Sequence, residues 1–288
     1  MRWSTGDRSN IDDERGASGG GFRAVPLGIG GFIVVALLSM YTGVDFFSLL
    51  GGGQATAPSG GVGTSGRVTG SPTEEKTVDM VDAVARDVQG TWETLLGGRY
   101  EQTKVTLFRD QIQSACGFAQ SATGPFYCPG DHKVYLDLGF FDELQRRFGA
   151  PGDFAQAYVL AHEFGHHIQA LTGTESHMRQ AQRADPSAAN PLSVRLELQA
   201  DCYAGVWGHS AAQPGRAAQG KVELETGDVE EGLRAAAAIG DDRLQKMATG
   251  HVMPERFTHG SSEQRVTWFK RGLESGDPRA CDTFSTTR

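Results

Sequence analysis

His162, Glu163 and His166 have the types and spacing that metal-dependent hydrolysis requires. On a helix, residues four apart lie one turn apart on the same face, so two imidazoles can reach one cation through their ring nitrogens. Glu163 then stands beside a metal-bound water and can take its proton, while the cation brings the pKa of that water towards neutrality. One Zn2+ ion suits such a donor set.

An open catalytic site needs a third protein ligand, and its source separates the known solutions. A pattern that continues to a glycine and a third histidine fails, because Gln169 and Thr172 hold those positions. A glutamate four residues before an aspartate is supplied by Glu197-Leu198-Gln199-Ala200-Asp201. Glu197 is the candidate ligand. Asp201, one turn on, is placed to accept the free ring N–H of His162 and fix its tautomer.

The flanking sequence predicts the helices that must carry these groups. Pro151-Gly152 signals a turn, Asp153 is a candidate N-cap with Gln156 three residues on, and Thr172-Gly173 ends the run. Ala155, Val159 and Ala170 share a stripe with His162, Glu163 and His166, so the polar trio interrupts a core-facing side. A second helix is expected over about residues 192–207, with Ala200, Ala204 and Gly208 beside the two acids; small residues there allow close approach. Val78, Val81, Val88, Trp92 and Leu95 predict an amphipathic helix over residues 77–96, and residues 104–108 and 133–138 alternate like strands.

At this point the chain resembles a known family. HEFGHH, the later ELQADCYAG, the segment GPFYCPGDHKVYLDLGFFDEL, the near-terminal THGSSEQR and an amino-terminal RSNIDDERG ahead of an apolar segment are similar to the neutral zinc metallopeptidases of bacteria. The likeness covers nearly all of the chain outside a Gly-rich stretch. It implies a zincin-like domain of α+β, mostly helical class, with His162, His166 and Glu197 as zinc ligands and Glu163 as catalytic base. It implies a peptide or protein substrate without identifying one.

With 288 residues, 39% of them hydrophobic, the chain can bury one substantial core. A net charge of -8 argues against a nucleic-acid partner. Residues 24–44 carry no charge and would span about 31 Å as a helix, enough for a bilayer core. Arg2, Arg8, Arg15 and Arg23 precede them, whereas few cations follow, which places the amino terminus in the cytoplasm by the positive-inside rule. The expected order is a cytoplasmic tail (1–23), a single transmembrane helix (24–44), a flexible linker (45–76) and an extracytoplasmic zinc metallopeptidase domain (77–288). A cleaved signal peptide, with Ala55-Thr56-Ala57 as cleavage site, and a buried core helix are the rival readings of the apolar run.

Cys116 and Cys128 flank a short Gly-containing segment, and a bond between them would contribute roughly 3 kcal/mol by loop closure. Cys202 and Cys281 are then left as the second candidate pair, in keeping with a domain outside the cytoplasm. The strand over residues 133–137 stands where a zincin presents an edge strand to an extended peptide. His259, ahead of an amphipathic helix capped by Ser261, is a candidate oxyanion donor. Tyr135, Tyr203 and His167 are further candidates, while His132, His177, His209 and His251 show no ligand spacing. Two other functions fit the same residues: a catalytically inactive, membrane-tethered binding protein with structural zinc, and a zinc amidase acting on cell-wall material.

Overall fold

The computed structural model of the protein describes residues 1–16 and 70–285. The first strand is the short β1 (Ile11–Asp13), and the first helix is α1 (Pro72–Leu96). Ser71 caps that helix by accepting from the Glu74 amide, and Pro72 occupies its first turn, where a missing N–H costs nothing. Val78, Val81, Val88 and Trp92 are buried along one side as their spacing predicts. Leu95 is not: it is 40% exposed at the last turn. The linker expected to run to residue 76 therefore ends earlier, since residues 72–76 form the first turn of α1.

A four-stranded sheet follows in the order β1-β2-β6-β5, built from β2 (Val105–Phe108), β5 (Phe126–Cys128) and β6 (Lys133–Asp137). A separate hairpin pairs β3 (Gln111–Ser114) with β4 (Gly117–Gln120). Within the larger sheet, β1, β2 and β6 are parallel and β5 is antiparallel to β6. The strand over residues 133–137 is therefore an interior strand rather than the expected edge. The edge on that side is β5, because the turn at Pro129-Gly130 folds it back onto β6.

The helices α2 (Gly139–Arg146), α3 (Asp153–Thr172), α4 (Thr174–Ala184), α5 (Ala189–Ala211), α6 (Asp228–Ala238), α7 (Asp241–Thr249) and α8 (Ser262–Ser275) complete the described chain. The class is α+β and mostly helical, as the resemblance implies. The core lies around α3, whose Tyr158, Phe164 and Ile168 are buried against Trp92 of α1, Trp207 of α5, Phe269 of α8 and the sheet residues Leu107 and Leu136. Asp153 is the first helical residue of α3 rather than its N-cap. Gly152 takes the cap position at φ 121°, and Glu231 from α6 accepts from the Phe154 amide at 3.2 Å. Both expected disulfides are present, Cys116 to Cys128 and Cys202 to Cys281.

Residues 1–15 belong to the same compact unit as the domain, contrary to the expectation of a separate tail over 1–23. β1 pairs with β2 from Ile11 opposite Val105 to Asp13 opposite Leu107. Arg8 binds Glu75 at 2.6 Å and Asp79 at 2.7 Å, and the buried Arg15 binds Asp13, Glu74 and Glu75 between 2.6 and 3.0 Å. Two of the arginines counted for the positive-inside rule are thus ion-paired to α1. A single membrane crossing at residues 24–44 would put 1–15 and 70–285 on opposite sides of a bilayer, which a shared sheet forbids. The apolar run itself lies outside the described residues; among those described, no helix is long and apolar enough to cross a membrane.

The clamp carries a pH prediction. The Arg8 hydrogen bond, with the Gly70 amide and Arg15, overcomes partial burial and lowers the Glu75 pKa from 4.5 to about 2. A lowered folded-state pKa means that the contribution is complete above pH 4.5 and is lost as pH falls towards 2. Hydrogen exchange should therefore show residues 8–15 losing protection across that window while α3 stays protected; uniform protection down to pH 2 would contradict the clamp.

Candidate metal centre

α3 brings His162 and His166 one turn apart, and α5 crosses it so closely that Gly165 is required at the crossing. A Cβ built on Gly165 would stand 2.9 Å from Ala200 Cα and 3.0 Å from its carbonyl oxygen. That approach places Glu197, nearly one turn before Ala200, and Asp201, the residue after it, against the two histidines. Glu197 Oε2 lies 3.1 Å from His162 Nε2, and Glu197 Oε1 lies 3.6 Å from His166 Nε2. The sequence-predicted trio is thus assembled, its donor atoms all within 4.8 Å of one another.

The other ring nitrogens decide whether these donors suit a cation. His162 Nδ1 donates to Asp201 Oδ1 at 2.8 Å, as the i, i+4 pair of acids predicts. His166 Nδ1 donates to Gln169 Oε1 at 2.8 Å. With both Nδ1 protons committed, each ring in its neutral form presents an Nε2 lone pair towards the Glu197 carboxylate, whereas a charged His162 donates from Nε2 to Glu197. Three electron-pair donors facing one point repel one another unless positive charge lies between them, so the residues fit a divalent ion. The titration of His162 expresses the same demand. Burial disfavours its charged form, but Asp201 and Glu197 outweigh burial and push its pKa up to about 10. Burial likewise opposes ionisation of Glu197, and the neighbouring His166 and His162 hold its pKa far below the usual carboxylate range.

Asp201 has no exposure to water, and its charge is balanced rather than stranded. Arg265 of α8 reaches both of its oxygens at 2.8 Å, and Tyr158 of α3 donates to Oδ1 at 2.5 Å. Burial works against ionisation of Asp201, but Arg265 and His162 prevail and its pKa falls. Arg265 was legible only as part of THGSSEQR, and Gln169 only as the residue that breaks the third-histidine pattern. A helical-wheel reading one turn beyond His166 would have found Gln169, since i and i+3 share a face.

Glu163 stands beside His162 on α3 and is 8% exposed. His259 precedes α8 with its ring half exposed and its Nδ1 3.2 Å from Asp241 Oδ1, while Asp241 Oδ2 also takes the amides of Thr258, His259 and Gly260. Burial disfavours its charge, but Asp241 and Glu197 raise its pKa above the ordinary imidazole value. Ser261 does cap α8, in a capping box with Gln264.

The remaining candidates are occupied elsewhere. His167 is fully buried between Tyr127 and the Glu101 carbonyl, Tyr135 donates to Asp131 at 2.7 Å, and Tyr203 packs edge-on against Trp92. His132, itself exposed, bonds the Tyr127 hydroxyl at 3.1 Å and so meets that buried group from outside.

Residues 1–284 match a family model described as "Putative neutral zinc metallopeptidase". The chain is 46% identical to Uncharacterized protein YpfJ of Escherichia coli strain K12 over 297 residues, covering 99% of each. It is also 46% identical over 209 residues to Uncharacterized protein Rv2575 of Mycobacterium tuberculosis strain H37Rv and to Uncharacterized protein Mb2605 of Mycobacterium bovis, covering 71% of this chain and 70% of each relative. No solved structure matches.

The helix crossing predicts that Gly165→Ala costs about 1–3 kcal/mol by overpacking. Because the strain falls between the two ligand-bearing helices, zinc affinity should drop along with the melting temperature. An unaltered melting temperature and affinity would mean that the close approach is not required.

Proposed function

The chain belongs to the family of neutral zinc metallopeptidases, and we propose that it hydrolyses peptide bonds at the His162, His166 and Glu197 site with Glu163 as general base. The observation that carries this reading is the convergence of Glu197 with two imidazoles whose outer hydrogen bonds already fix the tautomer a zinc ligand needs. Three such donors among the described residues favour an open site over the closed four-ligand site of a structural zinc. When bound, zinc would supply Lewis acidity, lowering the pKa of a water and polarising the scissile carbonyl.

The chain's own residues would do the rest. Glu163 takes the proton from the attacking water and returns it to the amine nitrogen that leaves. His259, held by Asp241, whose carboxylate favours the charged imidazole, donates to the carbonyl oxygen as negative charge develops there. The edge strand β5, antiparallel to its neighbour and bonded to α3 through Tyr127 and His167, offers backbone groups to an extended peptide.

Residues 24–44 are the proposed membrane contact, and the two disulfides favour a domain outside the cytoplasm. Because β1 pairs with β2, any membrane contact of residues 24–44 would have to leave 1–15 and 70–285 on the same side.

Glu163→Gln should retain zinc at wild-type stoichiometry while cleavage of an unstructured protein such as casein falls by about 10²–10⁴-fold. In the same assay His259→Ala should lose about 10²–10³-fold in kcat. Wild-type rates in Glu163→Gln would sink the mechanism, and cleavage of peptidoglycan fragments but not of protein would move the substrate to cell-wall material. For the topology, epitope tags at both termini should both be digested by protease added outside intact cells. Protection of the amino-terminal tag alone would restore a single crossing.

A further inference from the structure

His166 is oriented by a chain of buried amides that ends on a disulfide. Gln169, fully buried, accepts from His166 Nδ1 and spends its amide hydrogens on Leu196 O at 2.7 Å and Gln199 Oε1 at 3.1 Å. Gln199, 6% exposed, donates in turn to the carbonyl of Cys281 at 3.0 Å. Cys281 is bonded to Cys202, three residues beyond Gln199 on α5.

The direction of this relay is fixed by its ends. Leu196 O and Cys281 O are carbonyls and can only accept, so each must face an amide NH2. Turning the Gln169 amide over would set its oxygen against the Leu196 carbonyl and its NH2 against His166 Nδ1. His166 would then carry its proton on Nε2, the atom that faces Glu197, and could not serve as a ligand there. Every donor and acceptor between His166 and Cys281 therefore agrees with one tautomer, and a half-satisfied buried network would be costly.

We propose that Gln169 and Gln199 are positioning residues for His166, and that the Cys202–Cys281 disulfide holds the far end of their relay in place. The proposal rests on the metal reading above and assigns the bond a role besides tying the tail to α5. The two ligand histidines are then steered independently, His162 by an ionised acid and its arginine, His166 by neutral amides. Neutral partners add no charge to a site that already holds Glu197, Glu163 and Asp201.

The test is zinc affinity of the full-length apoprotein, measured by competition with a chromophoric chelator, alongside its melting temperature. Gln169→Leu should bind zinc about 10–100-fold more weakly than wild type, the usual cost of removing a partner that orients a metal-bound histidine. Gln199→Leu, which does not touch His166, should weaken binding by a smaller factor, and Cys202→Ala/Cys281→Ala should follow it in direction. Thr283→Val is the control, because Thr283 Oγ1 ties the same tail to Arg195 O at 2.6 Å without joining the relay. It should lower the melting temperature and leave zinc affinity unchanged.

Affinity within threefold of wild type in both glutamine variants overturns the proposal, as does an equal loss in Thr283→Val and Gln199→Leu. If Gln169→Leu does not fold, the comparison of Gln199→Leu with Thr283→Val decides alone. A wild-type protein that holds no zinc would remove the metal reading and this proposal together, whereas a tight wild-type site with unaffected variants removes only the proposal.

Discussion

A carboxylate sealed from water organises the centre of this molecule. Asp201 has no exposure, and an uncompensated charge at such depth would cost several kcal/mol. Four hydrogen bonds remove that cost, and they come from different elements: His162 and Tyr158 on α3, and both ends of the Arg265 guanidinium on α8. Satisfying one acid therefore fixes the mutual placement of three helices. A buried ion pair of this kind need not add much stability over an apolar core, since desolvation offsets most of its attraction. What it supplies is direction. With Asp201 held ionised, the Nδ1 proton of His162 has one place to go and its Nε2 has one orientation.

The same geometry requires that α3 and α5 nearly touch. Gly165 makes room for Ala200, and the residues either side of Ala200 in the helical turn become ligand and ligand support. Packing and chemistry are thus set by a single crossing. His166 lies at the other side of that crossing, and its partner Gln169 belongs to its own helix, so the two histidines answer to different constraints.

The amino-terminal strand extends this dependence to the sheet. RSNIDDERG is a motif of the family likeness, and here it forms β1 and supplies Arg8 and Arg15 to the acids at the start of α1. The side chains that looked like free positive charges beside an apolar run are neutralised by Glu74, Glu75 and Asp79. Pairing to β2 across the intervening residues is a long-range contact, and no local periodicity announces it. For the same reason the edge strand was misplaced by one position: residues 133–137 alternate as a strand should, but whether a strand has one neighbour or two depends on where the chain returns.

By itself the sequence determined what is local. Spacings of three and four put His162, Glu163 and His166 on one face and Glu197 and Asp201 on another, because a helix repeats every 3.6 residues whatever surrounds it. Turn and cap residues located the helices to within a few positions, and the cysteines offered two candidate pairs whose connectivity only the folded chain decides. Only the tertiary structure decided which outer groups complete the site. Arg265 reaches Asp201 from 64 residues away, and Gln199 reaches the Cys281 carbonyl across 82, and neither distance leaves a pattern in the sequence. Those partners are chosen by the need to satisfy buried charge and buried amides, and that need exists only once the helices have come together.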